Sequence, residues 1–353
     1  PYYYHKAKKG ATSTVVSVDI GGGTTDVLIV DKGEPKYLTS FRFAANTIFG
    51  DGYSYDSDSN GFVNKYKDII TNQLETNNLR GLKAVLKSVL DKRVSTDVIA
   101  FLFSLASNKE IKKEKVEINF AKMLADDNRG KYVVILFYVA IVYHIAKLMK
   151  AKGFDMPRHM TFSGNGSKVL NILSTNDATL VRLTKIIFEE IYAQSYSIDG
   201  LDIIRPANSK ESTCKGGIIL TPFQSQDYGE IKDMKTILIG TDNEKFADVH
   251  MTYNDVTEAD LDSVVDVIKE YIEFTFKLDK KFSFYDNFDV DRSIMNKVKD
   301  LCYRDIRTYL ENGLAIKKSE IAQDGADDNL EETLFFYPLV GIINAVVRNI
   351  YQM

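Results

Sequence analysis

Asp19-Ile20-Gly21-Gly22-Gly23-Thr24-Thr25-Asp26 (DIGGGTTD) lies between two apolar runs, Thr12 to Val18 and Val27 to Val30. Both runs are rich in β-branched residues and read as strands, so the octapeptide is the turn that joins them. Three consecutive glycines let the backbone turn sharply and leave no Cβ between the peptide N–H groups and an anion. Thr24 and Thr25 add hydroxyl donors at the same place. Asp19 and Asp26 flank the turn and put carboxylates where a phosphate-bound cation would sit. The combination suits a nucleotide polyphosphate with magnesium, with Asp19 and Asp26 as the metal-facing groups. A glycine-rich hairpin that binds nothing is the competing reading. A lone glycine triplet would leave that reading strong; the flanking Asp and Thr-Thr-Asp weigh against it.

Outward from this turn, Asp31 to Gly33 reads as a second turn and Lys36 to Phe43 as a third strand, which makes an antiparallel meander. Phe49 to Asn60 (FGDGYSYDSDSN) reads as a loop. The spacing then becomes helical. Leu79, Leu82, Val85, Leu86, Val89 and Leu90 mark Lys65 to Lys92, and a further helix runs near Asp97 to Ala106 with Ser95 or Thr96 as its cap. Ile118 to Leu124 continues the helical block. Lys131 to Lys150 is a long helix closed by Gly153. Its apolar stretch Tyr132 to Tyr143 covers 12 residues, fewer than the roughly 20 that a membrane span needs, so a buried core helix is expected and no membrane span. A strand near His159 to Phe162, the turn Ser163 to Ser167 (SGNGS) and a helix from Lys168 follow. Thr179 to Gln194 reads as a helix, Leu201 to Arg205 as a strand, Ser209 to Leu220 as a helix with the close-packing pair Gly216 and Gly217, and Thr236 to Gly240 as a strand. Two amphipathic helices, Glu258 to Phe276 and Asp291 to Asn312, precede an acidic loop at Ala322 to Asn329 and a last helix over Glu331 to Tyr351.

DIGGGTTD resembles the second phosphate motif of the superfamily of actin, heat-shock chaperones and sugar kinases, above all in the form carried by bacterial actin-like and cell-division ATPases. Arg158 to Ser167 (RHMTFSGNGS), followed by a helix, is similar to that superfamily's adenosine motif of strand, small-residue loop and helix. Many members have Gly where this chain has Asn165, a residue that tolerates a left-handed backbone. Lys215 to Leu220 (KGGIIL) is similar to the small-residue helix that closes the second lobe.

The resemblance implies an α/β fold: a ribonuclease H-like lobe with a mixed sheet flanked by helices, built from 1–50 and 126–220. It implies a mostly helical subdomain inserted at 51–125 and leaves 221–353 as a helical C-terminal extension outside the match. It implies ATP and magnesium as cofactors. Gly21, Gly22, Gly23, Thr24 and Thr25 would contact the phosphates, and Ser163, Gly164, Asn165, Gly166 and Ser167 the nucleoside. Asp19 would act catalytically, on magnesium or the attacking water, with Asp26 nearby on the metal. Members also carry a first phosphate motif, an Asp-x-Gly turn in a preceding lobe. Only about ten residues precede the first strand here and the chain opens on Pro1. The expectation is therefore the second half of an ATPase, inactive alone, whose partner is the preceding lobe of the same protein. Self-assembly as an actin-like structural element, a protein client, a catalytically silent interaction module, and half of a sugar or acetate kinase are the alternatives.

Composition narrows the classes. The chain has 353 residues, 44% hydrophobic and 27% charged, with a formal net charge of -4. That balance speaks against a general nucleic-acid binder, which needs clustered Lys and Arg. The basic run Lys109 to Lys115 (KEIKKEK) is interrupted by glutamates and reads as a solvated helix face. The two cysteines, Cys214 and Cys302, and four scattered histidines make neither a disulfide framework nor a metal site, and they point to a reducing, cytoplasmic setting.

Overall fold

The computed structural model describes residues 13–32, 34–50, 52, 60–197, 200–206, 251–324, 329–330 and 332–353. The helix expected over Ser209–Leu220, the strand over Thr236–Gly240 and Cys214 lie outside these residues. The architecture is α/β, built on one open mixed sheet of five strands. These are β1 (Val15–Ile20), β2 (Thr25–Asp31), β3 (Glu34–Phe41), β4 (His159–Ser163) and β5 (Asp202–Ile204), in the order β3-β2-β1-β4-β5. β1, β2 and β3 form the expected antiparallel meander. β4 runs parallel to β1, and β5 parallel to β4. The register of β2 on β3 shifts at Ile29/Val30, where Val30 is opposite Pro35, a residue with no N–H to give to a ladder.

A parallel neighbour for β1 requires a long crossover, and the helices between β3 and β4 supply it. They are α1 (Ala45–Phe49), α2 (Gly61–Thr76), α3 (Arg80–Asp91), α4 (Ser95–Leu105), α5 (Lys109–Lys113), α6 (Phe120–Ala125) and α7 (Lys131–Ala151). The block expected over Lys65 to Lys92 is two helices, because Asn78 takes a left-handed φ of 56° between α2 and α3. Asn is among the few residues that visit that region at low cost. The expected cap Ser95 is instead the first helical residue of α4, and the N-cap is Val94. α1 was not expected from the sequence at all; its five residues are too few to show a helical period.

α7 is apolar on every side, as a helix surrounded by protein must be. It is long and apolar enough to cross a membrane, and 94% of its most apolar window is buried inside the fold. It lies under the sheet face formed by Val16, Val18, Ile20, Val27, Ile29, Met160 and Phe162, all fully buried. The opposite face carries Val15, Val30 and Leu28 as a small second cluster, with Thr161 Oγ1 donating to Ser17 Oγ at 3.0 Å.

Beyond β4 come a 3-10 turn (Gly166–Val169), α8 (Leu170–Leu173) and α9 (Asp177–Tyr192). After β5 the described chain resumes with α10 (Glu258–Phe282), α11 (Phe284–Phe288), α12 (Met295–Tyr303), α13 (Ile306–Asp324) and α14 (Phe336–Asn349). Thr257 and Asp260 close a capping box on α10, which fixes where that long helix begins. The single helix expected over Asp291 to Asn312 breaks at Asp305, whose φ is 55°. α14 holds Pro338 in its first turn, where no intrahelical donor is lost. These C-terminal helices share one core with the sheet: Phe336 stacks on Phe41 at 4.1 Å and on Phe43 at 4.7 Å.

Candidate functional site

Because β1 and β4 are adjacent and parallel, the loops that leave them emerge at the same edge of the sheet. The register sets Asp19 opposite Ser163, so the turn after β1 and the turn after β4 abut. The contact depends on two glycines. Gly164 has a φ of 81°, and a Cβ there would stand 2.2 Å from the Ile20 carbonyl oxygen and 2.3 Å from Asp19 Oδ1. A Cβ on Gly166 would stand 2.1 Å from the Gly21 oxygen. Asn165, between them, has φ -67° and ψ -30°. The left-handed position of this loop is therefore Gly164, and Asn165 has no special backbone demand to meet.

The glycines of the first turn behave in the opposite way. None of Gly21, Gly22 and Gly23 has a positive φ. Among the described residues, a Cβ on Gly22 would come no closer than 3.5 Å to a neighbour, the Asn46 side chain, and one on Gly23 would meet nothing within 4 Å. Neither the turn's geometry nor its packing explains these two glycines. Gly21 N–H donates to the Thr24 oxygen at 2.9 Å, while Ala45 N–H and Asn46 N–H donate to the oxygens of Gly21 and Gly22 at 3.2 and 2.8 Å. The start of α1 thus holds the turn by its carbonyls. Among the described residues, no hydrogen bond is made by the N–H groups of Gly22, Gly23 and Thr24, all three on exposed residues. Among the described residues these three successive amides are left open to a ligand.

The side chains expected to face a ligand divide. Thr24 is exposed. Thr25 is fully buried and its hydroxyl donates to the Phe43 oxygen at 2.6 Å, so it holds the turn onto the strand leading to α1. Ser163 is buried with its hydroxyl on the Val18 oxygen at 3.4 Å, and Ser167 donates to the Gly164 oxygen at 2.8 Å. These three hydroxyls are committed to the protein, because backbone carbonyls at strand ends take up nearby donors. Asp19 and Asp26 sit directly opposite each other on β1 and β2, hence on one face of the sheet. Asp26 is exposed and Asp19 half-buried. Among the described residues no group of three or more His, Cys, Asp or Glu could hold a metal ion. A magnesium ion bound through one or two carboxylates and a ligand's phosphates needs no such group.

Beside the two turns opens a cleft of about 630 Å³, within the range for small-molecule sites. Gly22, Asn165 and Gly166 form its sheet-edge rim, and α1 contributes Ala45, Asn46 and Phe49. The facing wall is α4, with Thr96, Ile99, Ala100 and Phe103, together with Ala121 of α6. Lys168, Val169, Asn171 and Ile172 close the third side. Phe103 meets Phe49 edge-on at 5.4 Å, which makes an aromatic floor. Polar groups are few: Thr96 on the α4 wall, Asn46 beside the Gly22 turn, Asn165, Lys168, which makes no ion pair among the described residues, and Asn171, whose Oδ1 accepts from Arg205 at 2.8 Å. Asn46, Lys168, Asn171 and the α4 residues escaped the sequence reading. Lys168 directly follows SGNGS and could have been found from that position; the α4 residues carried only the signal of a core-facing helix.

No model of a known protein family matches the chain, and no curated protein matches it either.

Proposed function

We propose that this chain is the nucleotide-binding half of an actin-like ATPase that takes ATP with magnesium. The observation that carries the reading is the triplet of amides at Gly22, Gly23 and Thr24 that make no hydrogen bond among the described residues, two of them on glycines that the packing does not require, at the rim of a cleft. The strand order β3-β2-β1-β4-β5, with β2 alone reversed, is what a ribonuclease H-like lobe calls for and supports the same reading. In it, the amides and the Thr24 hydroxyl hold the β- and γ-phosphates. Asp19, with Asp26 opposite, faces the magnesium ion. The backbone of Gly164, Asn165 and Gly166 lies along the nucleoside. Ile99, Phe103 and Ile172 offer the apolar surface that a base needs, while Asn46, Lys168 and Asn171 are placed to give it polar contacts.

Phosphoryl transfer needs charge stabilisation on both sides of the phosphates, and these residues form one side. A preceding lobe of the same protein is the partner that would form the other. The test is phosphate release and MgATP binding, measured side by side for this chain alone and for the chain joined to that lobe. The expected result is negligible hydrolysis by the chain alone and slow magnesium-dependent hydrolysis by the longer protein. In the longer protein Asp19→Ala should lower turnover by roughly 10² or more, and Thr24→Ala should weaken binding by about 1 kcal/mol. Unchanged turnover in Asp19→Ala would mean that the motif is structural.

A further inference from the structure

α14 packs on the sheet-edge side of the cleft directly and reaches the α4 wall through the helical insert. At its start, Phe336 stacks on Phe41 and Phe43. Phe43 stands two residues past β3, its carbonyl accepts the Thr25 hydroxyl, and the α1 residues that follow hold the glycine turn. Midway, Asn344 lies against Gly52, where a Cβ would come within 2.8 Å of it. At the far end α14 presses on the helical insert. A Cβ on Gly61 would be 1.8 Å from the Val347 oxygen. Tyr351, just past the helix, packs edge-on against Phe62 at 6.0 Å and donates to Asp127. From there contacts lead to the α4 wall: the Tyr66 hydroxyl donates to Asp127 at 2.9 Å, Tyr66 meets Phe120 at 5.3 Å, Phe120 meets Phe103 at 4.9 Å, and Phe103 lines the cleft.

We infer that α14 is a strap that sets the separation between the α4 wall and the sheet-edge wall, so that the C-terminal end of the chain controls how tightly the cleft closes on its ligand. A ligand that touches both walls binds best at one separation. Anything that lifts the Tyr351 end of α14 then lowers affinity without touching the cleft, and ligand binding in turn tightens the strap, because coupling between sites is reciprocal. The width control stands on the packing alone; the identity of the ligand rests on the proposed nucleotide function.

Two variants perturb the strap to different degrees. Tyr351→Phe removes one hydroxyl from Asp127, which keeps Lys65, Tyr66 and the Gly130 amide. Gly61→Ala forces the Val347 end of α14 outward. Spin labels at Ala100→Cys on α4 and Asn171→Cys on α8, in a Cys214→Ser, Cys302→Ala background, report the distance across the cleft. Circular dichroism and a cooperative thermal transition certify that each variant is folded. MgATP affinity is measured on the unlabelled proteins, in the form that includes the preceding lobe. The expected result is a longer and broader separation in both variants, greater in Gly61→Ala, and an affinity lower by about tenfold, within the usual span of coupling between sites. An unchanged separation in a folded Gly61→Ala protein overturns the strap. A widened cleft in a protein whose parent binds no MgATP leaves the strap standing and removes the nucleotide reading instead.

Discussion

His144 offers a direct measure of what this core tolerates. It lies fully buried on α7, with ring centroids 4.9 Å from Phe336 and 5.5 Å from both Phe335 and Phe41. Neither ring nitrogen has a hydrogen-bond partner among the described residues. Burial among aromatic rings penalises the charged form and holds its pKa at about 3, against an ordinary 6.5. As the pH falls below 6.5 the unfolded chain takes up a proton on this ring and the folded chain does not. The neutral ring's contribution is therefore complete above pH 6.5 and is lost progressively as the pH falls toward 3. At 1.36 kcal/mol per unit, the loss between pH 7 and pH 5 is about 2 kcal/mol, a large part of a stability that for such domains is about 5–15 kcal/mol. Urea unfolding of the wild type and of His144→Phe at both pH values isolates it. Other groups titrate alike in the two proteins, so the wild type should lose roughly 2 kcal/mol more than the variant. Equal losses to within about 0.5 kcal/mol would show that the ring is hydrated or partnered in solution and refute the reasoning.

The two glycine turns should respond oppositely to one methyl group. Gly23→Ala should change stability by less than about 0.5 kcal/mol yet weaken MgATP binding, as read by thermal unfolding and calorimetry; unaltered binding would mean that no phosphate approaches this residue. Gly164→Ala should destabilise by roughly 3 kcal/mol or more, from the left-handed φ and the overlap with the Ile20 carbonyl together; a loss below about 1 kcal/mol would show that the two turns are not in rigid contact.

Much of the sheet was legible because period-two apolar runs and a glycine turn are local signals. β1, β2 and β3 could be read from Val15 to Phe41, and Met160 and Phe162 marked β4. The turn at Ser163 to Ser167 was legible as small residues, but which glycine is left-handed was not. That depends on Ile20 and Asp19, which only the β1–β4 register brings alongside. The roles of the hydroxyls were hidden for the same reason: Thr24 and Thr25 are neighbours with the same donor, and strand alternation turns one outward and the other onto Phe43. The facing wall of the cleft could not be read, since Ile99 and Phe103 look like any buried residues of an amphipathic helix until the crossover folds α4 over the sheet edge. Helix ends were misjudged where a single left-handed residue, Asn78 or Asp305, breaks a continuous apolar period.

The carboxylate pair bears on whether a cation belongs at this site. Asp19 and Asp26 are cross-strand partners in direct register, which puts their Cβ atoms about 5 Å apart on one face. Like charges so placed destabilise a sheet by about 0.5 kcal/mol, the effect being modest because Asp26 is exposed to solvent. Asp26→Asn keeps the shape and removes one charge. In chelator it should raise the unfolding midpoint slightly. Added magnesium should stabilise the wild type in a concentration-dependent manner, as a ligand of the folded state does, and stabilise Asp26→Asn less. The differential response to magnesium is the decisive quantity, because a general salt effect would act on both proteins alike. Equal magnesium responses would remove Asp26 from the proposed cation site.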